Sequence, residues 1–252
     1  MTENQNNQDL PFVNFAYYCF VDFSSLDFQS VRKKLLDFCL PHEMRGTILL
    51  APEGINCGVC GSPSVIAKFR KLLEQELSLD LSTAKENRSE EITFRRMHVK
   101  VKKEIIPSDS KENVSINPRL NRAPSVEPET LQQWLDSKKE IILLDTRNNY
   151  EVACGTFEGA LDLKIRHFRK FNQALDRLPE EYKDRTIVTF CTGGIRCEKA
   201  APMMVEKGFK NVYQLEGGIL KYFEKCGGKY WNGTCFIFDK REELNPDFSV
   251  KR

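Results

Sequence analysis

The 252-residue chain sets 38 Lys and Arg against 36 Asp and Glu, a net charge of +2, so no global basic character points to nucleic acid and any such surface must be local. No run of about eighteen apolar residues occurs, which argues against a membrane-spanning helix, and the polar start MTENQNNQDLPF lacks the basic and apolar regions of a secretory signal. Nine cysteines, an odd number scattered through strand-like and helix-like runs, predict reduced thiols in a cytoplasmic protein rather than a disulfide framework.

Residues 1–10 read as a disordered lead. Phe12–Phe23 is rich in aromatics and reads as a strand. Leu26–Leu40 spaces its apolar residues as a helix does, with Ser24 or Ser25 as its cap. Gly46–Ala51 and Ile55–Cys60 read as strands joined by a turn at Pro52-Glu53-Gly54. Residues 62–77 form a second predicted helix, with Ile66, Phe69, Leu73 and Leu77 among the residues of its apolar side. Ile92–Ile106 alternates as a long fourth strand. Strand, helix, strand, strand, helix, strand is the split βαβ pattern of a ferredoxin-like α+β domain, placed at residues 11–106. Acylphosphatases share that fold, but no phosphate-binding loop here supports their activity.

Four prolines (107, 118, 124 and 128) mark residues 107–128 as a linker over the surface. A new pattern occupies residues 129–226. Helices are predicted at Glu129–Ser137, Arg169–Leu178 and Gly218–Lys225, and strands at Ile141–Leu144, Thr186–Phe190 and Val212–Leu215. Strands alternating with helices predict a parallel α/β domain, with its site outside the carboxyl ends of the strands. Residues 227–252 read as a tail with a small hairpin turning at Asn232-Gly233.

The loop CTGGIRC (191–197) carries the chemistry. Cys191 follows a buried-type strand, and a helix begins near Cys197, so backbone N–H groups and the helix dipole converge on the thiol and favour its anion. Gly193 and Gly194 let the backbone curl with its N–H groups inward, and Thr192 and Ile195 complete the cradle. Arg196 adds a fixed positive charge. Related phosphatases use C-x5-R to wrap a phosphate. The tighter C-x4-R here suits a smaller sulfur- or oxygen-bearing species on the cysteine. The prediction is a reactive, partly exposed thiolate. Cys197 is either a resolving thiol or a small core residue at the helix start. Asp145 is expected to bond loop N–H groups at its strand end, and Glu216, Gly217 and Gly218 either wall the mouth or form a plain turn. Cys57 and Cys60 have half the spacing of a zinc site, but no second pair exists and no metal is expected. Phe12, Phe15, Tyr17 and Phe23 are expected in the core, and His42, His98 and His167 have no partner pattern.

The second half resembles rhodanese-like domains, through LLDTRNNYE (143–151), Gly155-x-Phe157-x-Gly159-Ala160, CTGGIRC and GFKNVYQLEGGI (208–219). With APEGIN (51–56), HVKVKKEII (98–106), LEGGILKYFEK (215–225) and WNGTCFIFD (231–239), the sequence is similar across both domains to the bacterial rhodanese-domain family that hydroxylates tRNA. That resemblance implies installation of 5-hydroxyuridine at wobble position 34 by molecular oxygen, with Cys191 catalytic, tRNA as partner and no evident cofactor. Many members carry a longer, cysteine-bearing C-terminal extension; this sequence runs to Arg252, and any contribution of such an extension is expected to be absent or dispensable here. With tRNA as substrate, Arg96, His98, Lys100 and Lys102, which share one face of a strand, become candidates for phosphate contacts. The loop alone equally suits a sulfurtransferase holding a persulfide on Cys191. A non-catalytic tRNA-binding protein would have no need of the reactive loop.

Overall fold

The computed structural model describes residues 10–108, 118 and 122–251. They divide into two compact units that part between Ile105 and Ile106. Residues 1–9 of the predicted lead 1–10 and most of the linker, at 109–117 and 119–121, lie outside the described residues.

The first unit runs β1 (Phe12–Phe20), α1 (Phe28–Cys39), β2 (Arg45–Ala51), β3 (Gly54–Gly61), α2 (Pro63–Leu77), β4 (Lys85–Ser89) and β5 (Met97–Val101). Its sheet has the order β4-β1-β3-β2-β5. Val31, Leu35 and Cys39 of α1 and Ile66, Phe69 and Leu73 of α2 repeat at helical spacing and pack with Phe15, Ile48 and Val59 of the sheet into one core. The cap of α1 is Asp27, whose carboxylate accepts the N–H groups of Gln29 and Ser30, rather than Ser24 or Ser25. The split βαβ order holds, but its fourth strand is β4, antiparallel to β1. The stretch read as the fourth strand supplies a fifth, β5, only five residues long and parallel to β2. Its flanks leave the sheet because they are bonded elsewhere. The hydroxyl of Thr93 is tied to the Asn14 side chain, itself bonded to Ser89, and the N–H of Ile105 turns to the Glu53 carboxylate at 2.6 Å.

The second unit begins with β6 (Ser125–Val126), inside the stretch read as linker. It continues with α3 (Pro128–Asp136), β7 (Ile142–Asp145), α4 (Asn149–Cys154), β8 (Gly155–Phe157) and β9 (Leu161–Asp162). The predicted helix at 169–178 is a 3₁₀ turn, Phe168–Lys170, running into a short α5 (Phe171–Leu175). Then come β10 (Thr186–Phe190), α6 (Ile195–Glu206), β11 (Asn211–Leu215) and α7 (Gly218–Cys226). The sheet β6-β11-β10-β7-β9 is parallel throughout. Adjacent residues of its central strands enter different cores. Leu144 and Ile187 pack with Phe171 and Met204, while Leu143 and Val188 pack with Phe157, Ile219 and Phe223. Both faces are therefore covered, which is why these strands read as unbroken apolar runs.

The tail adds β12 (Trp231–Gly233), β13 (Cys235–Phe236) and β14 (Glu243–Leu244). No hairpin turns at Asn232-Gly233: both residues lie in β12, which pairs with β8, and the hairpin is β13–β14. Gly233 is required by close approach instead, since a Cβ there would meet the Cys154 carbonyl oxygen at 2.3 Å. Among the described residues no helix is long and apolar enough to cross a membrane.

Candidate active site

The strand β10 delivers Cys191 to the carboxyl edge of the sheet, beside the end of β7 (Phe190 opposite Asp145). Thr146 fixes that strand end, donating both its N–H (3.0 Å) and its hydroxyl (2.9 Å) to the Phe190 carbonyl. The first N–H groups of a helix lack intrahelical partners, and α7 spends its own on the loop. Ile219 and Leu220 donate to the carbonyls of Cys191 (2.9 Å) and Thr192 (3.1 Å). With those carbonyls turned toward α7, loop N–H groups are left for the sulfur, and Gly194 donates to Cys191 Sγ at 3.1 Å. Gly194 holds φ +100°, a left-handed conformation that favours glycine, and α6 starts at the next residue. Gly218 is needed as well: a Cβ would lie 2.3 Å from the Cys191 carbonyl oxygen.

Cys191 is fully buried, contrary to the expected partial exposure. Burial acts to raise its pKa. The Cys197 thiol, the Arg196 charge and the N–H groups of Arg196 and Gly194 outweigh burial and draw it down to about 5. Cys197 moves the other way, pushed well up by burial and by its donation to Cys191. Its sulfur lies 3.8 Å from the Thr146 hydroxyl. Cys197 is thus both buried and a hydrogen-bond donor to the thiolate, a combination neither sequence reading contained.

Arg196 is not a lone charge. Its guanidinium makes a bidentate pair with Glu151 at 2.6 and 2.7 Å, both side chains buried. A second buried pair supports the first. Asp145 accepts from the Arg147 guanidinium at 2.7 Å, from the Arg147 N–H at 3.0 Å and from the Thr156 hydroxyl at 2.8 Å. Arg147 in turn donates to the carbonyls of Gly155 (2.6 Å), at the C-terminal end of α4, and Glu151 (3.3 Å), within it, which ties down the helix that sets Glu151 against Arg196. Asp145 therefore bonds the loop of its own strand, as expected of it, and steadies the cysteine loop through Arg147 and Glu151. The tail closes the rim. Cys235 is buried there, its thiol pushed up to about 12 by burial, against the opposing influence of Arg147 and Thr192. The Phe238 ring lies 5.9 Å from the Arg196 guanidinium, and Phe236 packs edge-on to Tyr150 and Phe238.

The loop residues Cys191, Thr192, Gly193, Gly194, Ile195, Arg196 and Cys197 come together as read. Gly218, read as either a wall of the mouth or part of a plain turn, lies against the Cys191 carbonyl, whereas Thr146, Glu151 and Phe238 were missed as site residues. Thr146 and Glu151 lie in the LLDTRNNYE segment and Phe238 in WNGTCFIFD, so only similarity, not spacing, pointed near them. Arg96, His98, Lys100 and Lys102 belong to the first unit, where all four are exposed and Met97, Val99 and Val101 turn inward. Cys57 and Cys60 are buried in β3, and no cluster of potential metal ligands occurs among the described residues. Phe15, Tyr17 and Phe23 are core residues.

Residues 12–105 match the UPF0176 acylphosphatase like domain, and residues 127–225 the rhodanese-like domain. The tRNA uridine(34) hydroxylase of Bordetella petrii is 46% identical over 239 residues, 93% of each chain. That of Variovorax paradoxus is 46% identical over 245 residues, 95% of this chain and 91% of its own. Among solved structures, a rhodanese-like domain from Anabaena sp. aligns with 44% of this chain and 79% of its own, at 22% identity and a TM-score of 0.37. Similarity to the curated relatives runs through both domains rather than the cysteine loop alone, and the chain belongs to the tRNA uridine(34) hydroxylase family.

Proposed function

We propose that this protein is a cytoplasmic tRNA-modifying oxidoreductase. It hydroxylates C5 of the wobble uridine, position 34, to 5-hydroxyuridine, with molecular oxygen as oxidant and Cys191 as the catalytic nucleophile. The observation that carries the reading is the Cys191 sulfur accepting the Gly194 N–H at 3.1 Å in a loop that ends in the buried Arg196–Glu151 pair, in a chain whose relatives are named for this modification.

C5 of uracil is a poor nucleophile. A thiolate adding at C6 forms an S–C6 bond and moves the C5=C6 electrons onto the C4 carbonyl, making an enolate nucleophilic at C5. Oxygen transfer to C5, loss of the C5 proton and expulsion of the thiolate then give the product. One atom of O2 enters the base and the other leaves as water, so the net reaction takes two electrons and two protons from a donor such as a small thiol. Gly194, Arg196 and Cys197 hold the sulfur as an anion before attack and receive it after expulsion. Glu151 holds Arg196 in place. The reading assigns no residue to a resident cofactor. Because Cys191 is buried, the base reaches it only after the groups that cover the sulfur move. The exposed row Arg96, His98, Lys100 and Lys102 supplies phosphate contacts for the tRNA.

A rhodanese-type sulfurtransferase is the second reading, favoured by the same anion-holding loop, which would equally carry a persulfide. Deleting the gene, digesting total tRNA and quantifying 5-hydroxyuridine by mass spectrometry separates the two. Wild type is expected to restore the nucleoside and Cys191→Ser to leave it at background. Full restoration by Cys191→Ser refutes the catalytic assignment. A tRNA pool unchanged by deletion, in a strain without a redundant pathway, refutes the function.

A further inference from the structure

A second feature of the same sheet edge is not used by the chemistry of Cys191. Strand β9 is parallel to β7, with Asp162 opposite Asp145, so the chain after Asp162 leaves the sheet at the edge where Cys191 leaves β10. It abuts the site through one bond: the Asn149 N–H donates to the Ile165 carbonyl at 2.8 Å, and Asn149 opens α4, the helix that carries Glu151. The stretch that follows, KIRHFRKFNQALDR (164–177), holds Lys164, Arg166, Arg169, Lys170 and Arg177 against the single carboxylate of Asp176. In a chain of net charge +2 this is a concentrated basic segment.

These side chains surround a hollow. A cavity of about 280 Å³ is lined by Lys164, Arg166, Lys170, Gln173 and Arg177 over Ile165 and Ala174. The local carboxylates are committed elsewhere or to the rim: Asp176 pairs with Lys207, and Asp162 with Lys164 at 2.8 Å. Arg177 gives one of its five donors to the Leu163 carbonyl at 2.7 Å. Arg166 makes no hydrogen bond or ion pair among the described residues. Lys164 is held at φ +55°, its N–H bonded to Asp162 at 2.7 Å, an unfavourable backbone for a residue other than glycine. Lys164 is paired with Asp162 and Lys170 donates to Gln173 at 3.3 Å, yet cations outnumber carboxylates round the hollow, so the arrangement is complementary to an anion with several oxygens, and the guanidinium forks of Arg166 and Arg177 match phosphate in particular.

We propose that this cavity is a phosphate subsite, which grips the tRNA backbone beside the uridine delivered to Cys191. The proposal rests on the hydroxylase reading and extends it to the rhodanese-like unit itself.

The test uses the full-length protein with Arg166→Ala/Lys170→Ala and the charge-retaining Arg166→Lys/Lys170→Arg. Affinity for unmodified tRNA is measured across a salt series, with kcat and KM for 5-hydroxyuridine formation and the iodoacetamide alkylation rate of Cys191. The alanine pair is expected to weaken binding roughly tenfold near physiological salt and to reduce the slope of log affinity against log salt by about 1 for each phosphate no longer gripped. KM rises while kcat at saturating tRNA and the alkylation rate hold, and the charge-retaining pair recovers most of the affinity. Unchanged affinity and slope in the alanine pair overturn the subsite and leave the hydroxylase standing. So does inorganic phosphate that binds the wild type but fails to compete with tRNA, which would make the cavity a site for a free small anion. A wild type that forms no 5-hydroxyuridine sinks the functional reading and the subsite with it, and is recognised because it shows in the wild-type arm alone.

Discussion

The exposed face of β5 and the surroundings of Cys191 both gather charge, under opposite physical conditions. On β5, His98 and Lys100 stand in water, flanked by Arg96 and Lys102. Hydration and salt screen such groups from one another, so each adds little to the fold, and a polyanion senses them as a row. Around Cys191 every charge is buried and assigned to a partner: Arg196 to Glu151, Arg147 to Asp145. There removal of one group strands another. Solvated charge is thus exchangeable and additive, whereas buried charge is specific and acts through its partner.

The largest expected effect tests the buried side. Glu151→Ala leaves Arg196 charged and unpaired in the interior, and is expected to cost about 3–5 kcal/mol of stability in a denaturant titration. A loss below about 1 kcal/mol would mean that the pair is no structural element. Next, Arg196→Met removes a charge that holds the Cys191 thiol down. In the wild type the alkylation rate should be flat from about pH 6 to 9 and fall only near pH 5. In the variant the rate near neutrality should drop several-fold and climb with pH. Identical profiles would exclude Arg196 from thiolate stabilisation. The same shift has a stability consequence of fixed sign. Between about 5 and the ordinary value of 9.0 the unfolded chain binds a proton that the folded chain does not, so the thiolate's contribution grows as pH rises through that window and is lost as pH falls to about 5. Cys191→Ser should flatten that part of the stability–pH curve.

Smaller effects test the solvated side. Lys100→Ala/Lys102→Ala should reduce the salt slope of tRNA binding by about 1 per phosphate while changing folding stability by no more than about 0.5 kcal/mol. Stability loss with unchanged binding would reverse the comparison. Smallest is Phe238→Ala at the rim. The ring is 61% exposed and lies over Arg196, so its removal should speed alkylation of Cys191 a few-fold, and an unchanged rate would show that access is limited elsewhere.

The ferredoxin-like and rhodanese-like architectures and the cysteine loop were legible because periodicity and motif order carry them. β7 and β10 are apolar on both faces, and Cys191, Gly194 and Arg196 sit at fixed offsets. β4 was illegible: KENRS has no apolar alternation, and its place comes from pairing with β1, far away in the chain. The exposure of Cys191 was misread for a related reason. Burial of the loop depends on α7 and the tail, which approach it from well downstream, as Ile219 bonded to Cys191 illustrates. Glu151 completes the site through a contact spanning 45 residues, and its one local signature, the Asn148-x-x-Glu151 capping box of α4, marks a helix start rather than a partner for Arg196.

The polarity that hid β4 also bears on how the protein behaves when crowded. Among the described residues the sheet of the first unit ends in β4 on one side and β5 on the other, and at β5 the Val99 carbonyl is already taken by the Arg32 guanidinium at 3.0 Å. An edge strand that is long, flat and greasy templates fibres. Here one edge carries Lys85, Glu86 and Arg88 and the other His98 and Lys100. A strand added there from a second copy would bring Lys100 and its basic neighbours against the same groups, so the row proposed to attract tRNA would also oppose edge-to-edge pairing at β5.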